Sequence, residues 1–253
     1  MAGSSRPTVA AVIVGSELLS GKIEDCNTPY LARKLRAAGL ALRKVTVVPD
    51  EAPLLEAALR EGLALADHVF SSGGIGPTHD DITAACVARV LEVPLERHPE
   101  MEALLRELIG ARINEVHLRM ANLPRGTELI VREGMIFPAL RCGRIYILPG
   151  IPEIFREKVD QILPALGGRP YHLAELRLRT GESSLAPHLE AVLAAHPGIE
   201  IGSYPSLDTG EGFQVRVTLE GAERDRVQAA LEALLARLPA ERVLERRDAS
   251  ASA

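Results

Sequence analysis

Tryptophan is absent from this 253-residue chain, and aromatic residues make up only 3% of it. Stacking platforms for single-stranded nucleic acid depend on such rings, so that class of partner is excluded. Cysteine is scarce: Cys26, Cys86 and Cys142 are far apart and odd in number. They form neither a disulfide framework nor a paired-cysteine metal site, and they fit a reducing cytoplasm. Neither sign of charge dominates. The 29 Lys and Arg are interleaved with 34 Asp and Glu, for a net charge of −5, so no basic footprint for DNA or RNA stands out. No apolar run approaches a membrane span, and the start, Met-Ala-Gly-Ser-Ser-Arg-Pro, lacks a signal-peptide core. The glycine-rich segment is not followed by Gly-Lys-Ser/Thr, which excludes a Walker A loop. No Gly-x-Gly-x-x-Gly follows the first strand, which argues against ordinary dinucleotide oxidoreduction. The expectation is a cytoplasmic protein with neither nucleic-acid nor membrane partners.

What is present is a sizeable core, with 47% hydrophobic residues, and a regular alternation of elements. Residues 8–14 are a β-branched run without polar alternation, as in a parallel strand covered on both faces. A helical stretch from Asn27 to Ala38 ends at Gly39, and 40–48 reads as a second strand. A helix over 53–65 and a strand over 67–72 follow, then two helical patterns over 81–91 and 99–121. This β-α-β-α-β-α order predicts a doubly wound, mostly parallel α/β sheet. Short apolar runs at 127–131, 136–140 and 144–148, turning at Glu133-Gly134 and Cys142-Gly143, predict a hairpin excursion that returns one strand to the sheet. A helix from Pro152 to about Leu166 closes the domain, 1–168. Gly167-Gly168-Arg169-Pro170 is the most linker-like stretch. Beyond it a smaller β-α-β-β-α unit is predicted over 169–246, with a polar, disordered tail over 247–253. That unit suits a dimerisation or lid role, and a homodimer is expected.

The chemistry concentrates in Ser71-Ser72-Gly73-Gly74-Ile75-Gly76-Pro77-Thr78-His79-Asp80-Asp81-Ile82-Thr83, between a strand and a helix. Free backbone amides and the positive end of a helix hold anions at such junctions. Two adjacent carboxylates do not suit direct anion contact, but they suit a divalent cation bridging them to a phosphate. The competing reading is a capping turn, with Asp80 as N-cap. Doubly wound sheets bind ligands beyond the carboxyl ends of their strands. Those ends bring Gly15, Glu17, Asp25 and Asn27 after the first strand and Asp50 after the second. The glycine loop follows the third, and Pro149-Gly150 the returning strand. Asp50, Asp80 and Asp81 are the candidate ligands of a hard cation. Ser72, Gly73, Gly74, Gly76, Pro77 and Thr78, with Gly15, Glu17, Asn27, Pro149 and Gly150, are the candidate phosphate and substrate contacts. Each has a plainer reading: Asp50 could cap the next helix, Glu17 could be a surface acid, Asp25 and Asn27 could cap a helix, and His79 could be a loop residue.

The segment from Gly73 to Thr83 closely resembles the signature of the MoaB/Mog-type molybdopterin-binding domain family, more narrowly its CinA N-terminal branch. Further segments agree in order: Gly15-Ser16-Glu17-Leu18-Leu19-Ser20-Gly21 with Asp25-Cys26-Asn27, Val48-Pro49-Asp50, Leu123-Pro124-Arg125-Gly126, Leu148-Pro149-Gly150-Ile151-Pro152 and Ile201-Gly202-Ser203-Tyr204-Pro205. The resemblance spans residues 8–238. It implies a three-layer α/β/α sandwich whose mixed sheet has one antiparallel strand, plus a small second domain. It also implies that Asp50 and Asp81 support a divalent metal, Mg²⁺ or Co²⁺, and the transfer chemistry. CinA-type members, like the N-terminal domain of eukaryotic FAD synthase, are associated with metal-dependent hydrolysis of the pyrophosphate in ADP-ribose or FAD. Adenylyl transfer to molybdopterin is the related alternative, and binding of a pterin or nucleotide without turnover is a third. The 253 residues leave no room for the amidohydrolase domain of full-length CinA, so deamidation of nicotinamide mononucleotide is expected to be absent.

Overall fold

A computed structural model describes residues 6–131, 137–169, 171–206 and 212–251. It divides into two compact units, Met1–Gly168 and Arg169–Ala253.

The first unit runs β1 (Thr8–Val14), α1 (Ser16–Leu19), α2 (Asn27–Ala37), β2 (Ala41–Val48), α3 (Ala52–Leu65), β3 (His68–Ser72) and α4 (Thr83–Val90). It continues with β4 (Leu95–Arg97), α5 (Pro99–Ile109), α6 (Glu115–Leu118), β5 (Asn122–Pro124), β6 (Glu128–Ile130), β7 (Ala139–Cys142), β8 (Ile145–Leu148) and α7 (Pro152–Ile162). Six strands form one sheet in the order β2-β1-β3-β8-β7-β6. The first four are mutually parallel, and β7 runs antiparallel to both its neighbours, one place in from the edge. The unbroken apolar character of β1 is explained by its surroundings. Val12 and Val14 enter one core with Leu55 and Leu59 of α3, Val87 of α4 and Leu105 of α5. Val9, Ala11 and Ile13 enter another with Leu31 and Leu35 of α2 and Phe155 and Val159 of α7. Helices thus cover both faces, giving the three-layer α/β/α sandwich.

Register positions the rim. Val14 pairs with Val48, Ile13 with Ser72, and Ser72 with Leu148. The chain therefore leaves β1, β2, β3 and β8 at nearly one level, and the four following turns meet there.

Three expectations need correction. The helical pattern over 99–121 is not one helix: α5 ends at Gly110, where φ is +62°, and Asn114 caps α6 by accepting the Val116 and His117 amides. The run assigned to 136–140 forms its strand two to three residues later, as β7, while the Glu133-Gly134 turn lies outside the described residues. The stretch 247–251 is not a disordered tail but the end of a strand.

That strand belongs to the second unit: β9 (His172–Leu178), α8 (Glu182–Ala195), β10 (Glu200–Pro205), β11 (Val215–Gly221), α9 (Arg224–Leu235) and β12 (Val243–Ala251). The order β10-β11-β9-β12 is antiparallel throughout. Ala174, Leu176 and Leu178 alternate into a core with Val217, Leu231 and Leu234, as the pattern of β9 predicts. β12 reads as polar because, as an edge strand, it buries only Ala249. Its backbone pairing with β9, the bond from the Arg224 guanidinium to the Ala249 carbonyl, and the ion pair of Arg246 with Glu232 hold it. Among the described residues, no helix is long and apolar enough to cross a membrane.

Candidate functional site

A cavity of about 820 Å³ opens at the rim of the first unit, where the turns after β1, β2, β3 and β8 converge. Gly15, Glu17, Asn27, Asp50, Ser72, Gly73, Gly74, Gly76, Thr78, Asp80, Asp81, Pro149 and Gly150 all line it. Pro77, expected among the contacts, is not part of the lining.

The glycines are required by close approach. Gly73 has φ +106°, and a Cβ on it would collide with the carbonyl oxygen of Val14. Gly74 has φ +63°, and a Cβ there would sit 2.6 Å from the Thr83 hydroxyl. That hydroxyl donates to the Gly73 carbonyl (2.8 Å), and the Thr83 amide donates to the Gly74 carbonyl (3.0 Å), tying the loop to the first turn of α4. The amides of Gly74, Ile75 and Gly76 donate to no group among the described residues. Unpaired amides in a turn before a helix form a cradle for an anion.

Neither acid of the loop caps α4, whose N-cap is Ile82 with no side-chain bond. Both carboxylates turn to Thr78 instead. The Thr78 hydroxyl lies 2.5 Å from Asp80 Oδ1 and 2.6 Å from Asp81 Oδ2, and the Thr78 amide donates to Asp81 Oδ2 (2.7 Å). A hydroxyl has one hydrogen to donate, so it satisfies one of the two carboxylates at a time. The Thr78 hydroxyl, and next Asp80's own amide, hold the Asp80 carboxyl below the usual carboxylate range. Asp81 also lies against Gly76, where a Cβ would come within 2.7 Å of its Oδ2. His79 is fully open to solvent, 3.9 Å from Asp80.

Asp50 does not cap α3, whose N-cap is Glu51. Its Oδ2 accepts the Ser16 amide and hydroxyl, both at 2.9 Å, fastening the turn after β1 to the end of β2. Asp25, one residue before the Cys26 N-cap of α2, accepts the Asn27 and Thr28 amides at Oδ1 and so satisfies the start of that helix. Asn27 is buried and joins three elements, its amide nitrogen donating to the Ser72 hydroxyl (3.1 Å) and the Gly150 carbonyl (2.8 Å). Glu17 folds back over Gly15.

Six carboxylates therefore face the cavity: Glu17, Glu24, Asp25, Asp50, Asp80 and Asp81. Among the described residues, no three acids, histidines or cysteines come together as a ready-made metal group. The donor set still fits a hard cation, since all the ligands are oxygens and two adjacent carboxylates share one hydroxyl. Mg²⁺ is commonly held by one or two carboxylates with substrate phosphate completing its shell. Asp80 and Asp81 are the residues that would hold it.

The sequence reading did not find the apolar wall of the cavity, which includes Leu95, Met101, Met120, Leu123, Phe137 and Leu140, nor Arg119 beside it. Reading 99–121 as one helix hid the placement of Met101 and Met120. Gly110 and Asn114, a helix stop and a helix cap, were the available signal. The two buried thiols, Cys86 and Cys142, stay off the cavity, and burial pushes both above the ordinary thiol range.

A rim of acids and unpaired glycine-loop amides thus lies at the strand ends of a doubly wound α/β sheet. Residues 10–168 match the family described as "Probable molybdopterin binding domain", and residues 170–247 match "FAD synthase, middle domain". The chain belongs to the molybdopterin-binding-domain family, in its CinA-like branch. It is 41% identical over 170 residues to a CinA-like protein of Anaeromyxobacter dehalogenans, covering 64% of this chain and 41% of that one. It is 36% identical over 232 residues to a CinA-like protein of Desulfovibrio desulfuricans, covering 86% of this chain and 53% of the relative. The chain thus spans about half the length of these curated relatives. The crystal structure of the protein CinA from Thermoplasma acidophilum aligns with a TM-score of 0.59 at 28% identity, over 64% of this chain and 99% of that one.

Proposed function

We propose that this protein is a divalent-metal-dependent nucleotide pyrophosphatase acting on ADP-ribose or FAD-like dinucleotides. One observation carries the reading: a cradle of unpaired amides and a pair of carboxylates around Thr78 share one cavity. The family match to a FAD synthase domain in the second unit supports a nucleotide substrate.

The loop amides of Gly74, Ile75 and Gly76 donate to phosphoryl oxygens of the diphosphate. Asp80 and Asp81, together with ligand oxygens, hold the cation. Bound there, Mg²⁺ or Co²⁺ neutralises phosphate charge and polarises the phosphorus–oxygen bonds. Asp50 keeps one carboxylate oxygen beyond its Ser16 bonds for the attacking water or the cation. Water oxygen bonds to one phosphorus while the bridging oxygen leaves with the other. The two protons of the water are shared between the phosphate products and solvent.

The test incubates the purified protein with ADP-ribose, FAD, or ATP plus molybdopterin, each with Mg²⁺, with Co²⁺ and with EDTA. The expected result is cation-dependent release of AMP from ADP-ribose. Asp81→Asn should slow it at least about 100-fold, the loss typical when a charge-stabilising group is removed, with melting temperature retained. The family description itself favours a second reading, molybdopterin binding or its adenylylation. Consumption of ATP only when molybdopterin is present, with ADP-ribose untouched, establishes that reading instead.

A further inference from the structure

The apolar wall carries no acid, and it adjoins the single cation among the described cavity-lining residues, Arg119. The Arg119 guanidinium forms no hydrogen bond or ion pair among the described residues; only its backbone is engaged, within the helical turn. Glu115 and Asn122, close to it in sequence, are committed elsewhere: both engage Arg97, which also pairs with Glu102. An unpaired guanidinium at a cavity otherwise rimmed by carboxylates has an evident complement in an anion. Its planar fork matches phosphate oxygens. Met101, Met120 and Phe137, which line the same cavity, supply polarisable sulfur and an aromatic ring suited to a flat heteroaromatic group. At about 820 Å³ the cavity lies in the upper part of the roughly 300–1,000 Å³ typical of ligand sites, leaving room beyond a diphosphate.

We infer that Arg119, Met101, Met120 and Phe137 form a second subsite that takes the base-bearing nucleoside monophosphate half of the substrate. The subsite is separate from the cation-holding loop. This inference rests on the pyrophosphatase reading and assigns the two halves of its substrate. The half next to Thr78 needs the cation, and the half next to Arg119 is held by the chain's own charge. AMP alone should then bind without any divalent metal.

The chain has four methionines, so methyl-labelled methionine NMR resolves the wall directly. AMP is titrated into the full chain in EDTA. Ring-current shifts are expected at Met101 and Met120 and none at Met1. In Arg119→Gln the half-saturating AMP concentration should rise at least tenfold, and in Arg119→Lys less than about threefold. Arg119 has no partner to lose, so the melting temperature should hold in both. ADP-ribose turnover with Mg²⁺ is measured alongside. If AMP shifts the methyl signals equally well in Arg119→Gln, or shifts neither, the subsite is wrong, and continued turnover leaves the pyrophosphatase reading standing. If AMP does not bind and ADP-ribose is not cleaved, both fall together.

Discussion

Gly73 combines φ +106° with contact against the Val14 carbonyl, so any side chain there must displace β1. Gly73→Ala should cost more than the roughly 1–2 kcal/mol of a left-handed non-glycine residue, because a clash adds to it. Chemical denaturation measures the loss, and a change below 0.5 kcal/mol would show that the loop is not held as described. Asp50 has a structural share as well as a proposed chemical one. Asp50→Ala leaves Ser16 without its acceptor and should destabilise by about 1 kcal/mol. Most candidate residues were legible at this scale because glycines, paired acids and strand ends are local signals. Pro77 lies in the loop but not in the cavity lining, because loop membership does not determine which side of a loop a residue faces. Arg119 was missed because a lone arginine carries no pattern, and its meaning depends on which neighbours are already paired.

Elements follow the same logic one level up. The parallel strands were legible from continuous apolar runs, since helices on both faces demand them. β12 was not, because an edge strand held by backbone bonds needs little apolar sequence. Ending the chain at Arg242 should uncover the β9 edge. Hydrogen exchange would then show lost protection of β9 amides that now pair with β12, and unchanged exchange there contradicts the pairing. The start of the β1–β3 pair supplies a pH response. Asp67 accepts the Thr8 amide (2.8 Å) and hydroxyl (2.7 Å), and the Thr8 hydroxyl holds the Asp67 carboxyl below its ordinary 3.8. Burial likewise lowers the neighbouring His68 below its ordinary 6.5. Both folded values are depressed, so both contributions are complete above the unfolded values and fade as pH falls through the folded ones. Stability should therefore decline below about pH 6.5 as His68 is forced to charge, and again below about 3.8 as Asp67 is protonated. His68→Gln should remove the upper step alone in urea titrations across pH, and an unchanged profile would refute the assignment.

Across the whole molecule, each unit has its own core, the first around β1 and the second around β9. Units with separate cores tend to unfold separately, so calorimetry should resolve two transitions. A ligand at the rim of the first unit should raise only that unit's transition, by mass action. A shift of the other transition alone would place the ligand elsewhere. The two compact units divide at Gly168, where glycines and a proline interrupt the chain. What no sequence pattern reports is the shared cavity, which depends on four strands ending at one level.

The most direct measurement of the central claim is a crystal soaked with ADP-ribose and Mn²⁺, with anomalous scattering locating the cation. The account predicts an anomalous peak coordinated by Asp80 and Asp81 beside Thr78, with diphosphate oxygens completing its shell and facing the amides of Gly74 to Gly76. A nucleotide and cation bound away from that loop, with the loop amides still unpaired, would contradict it.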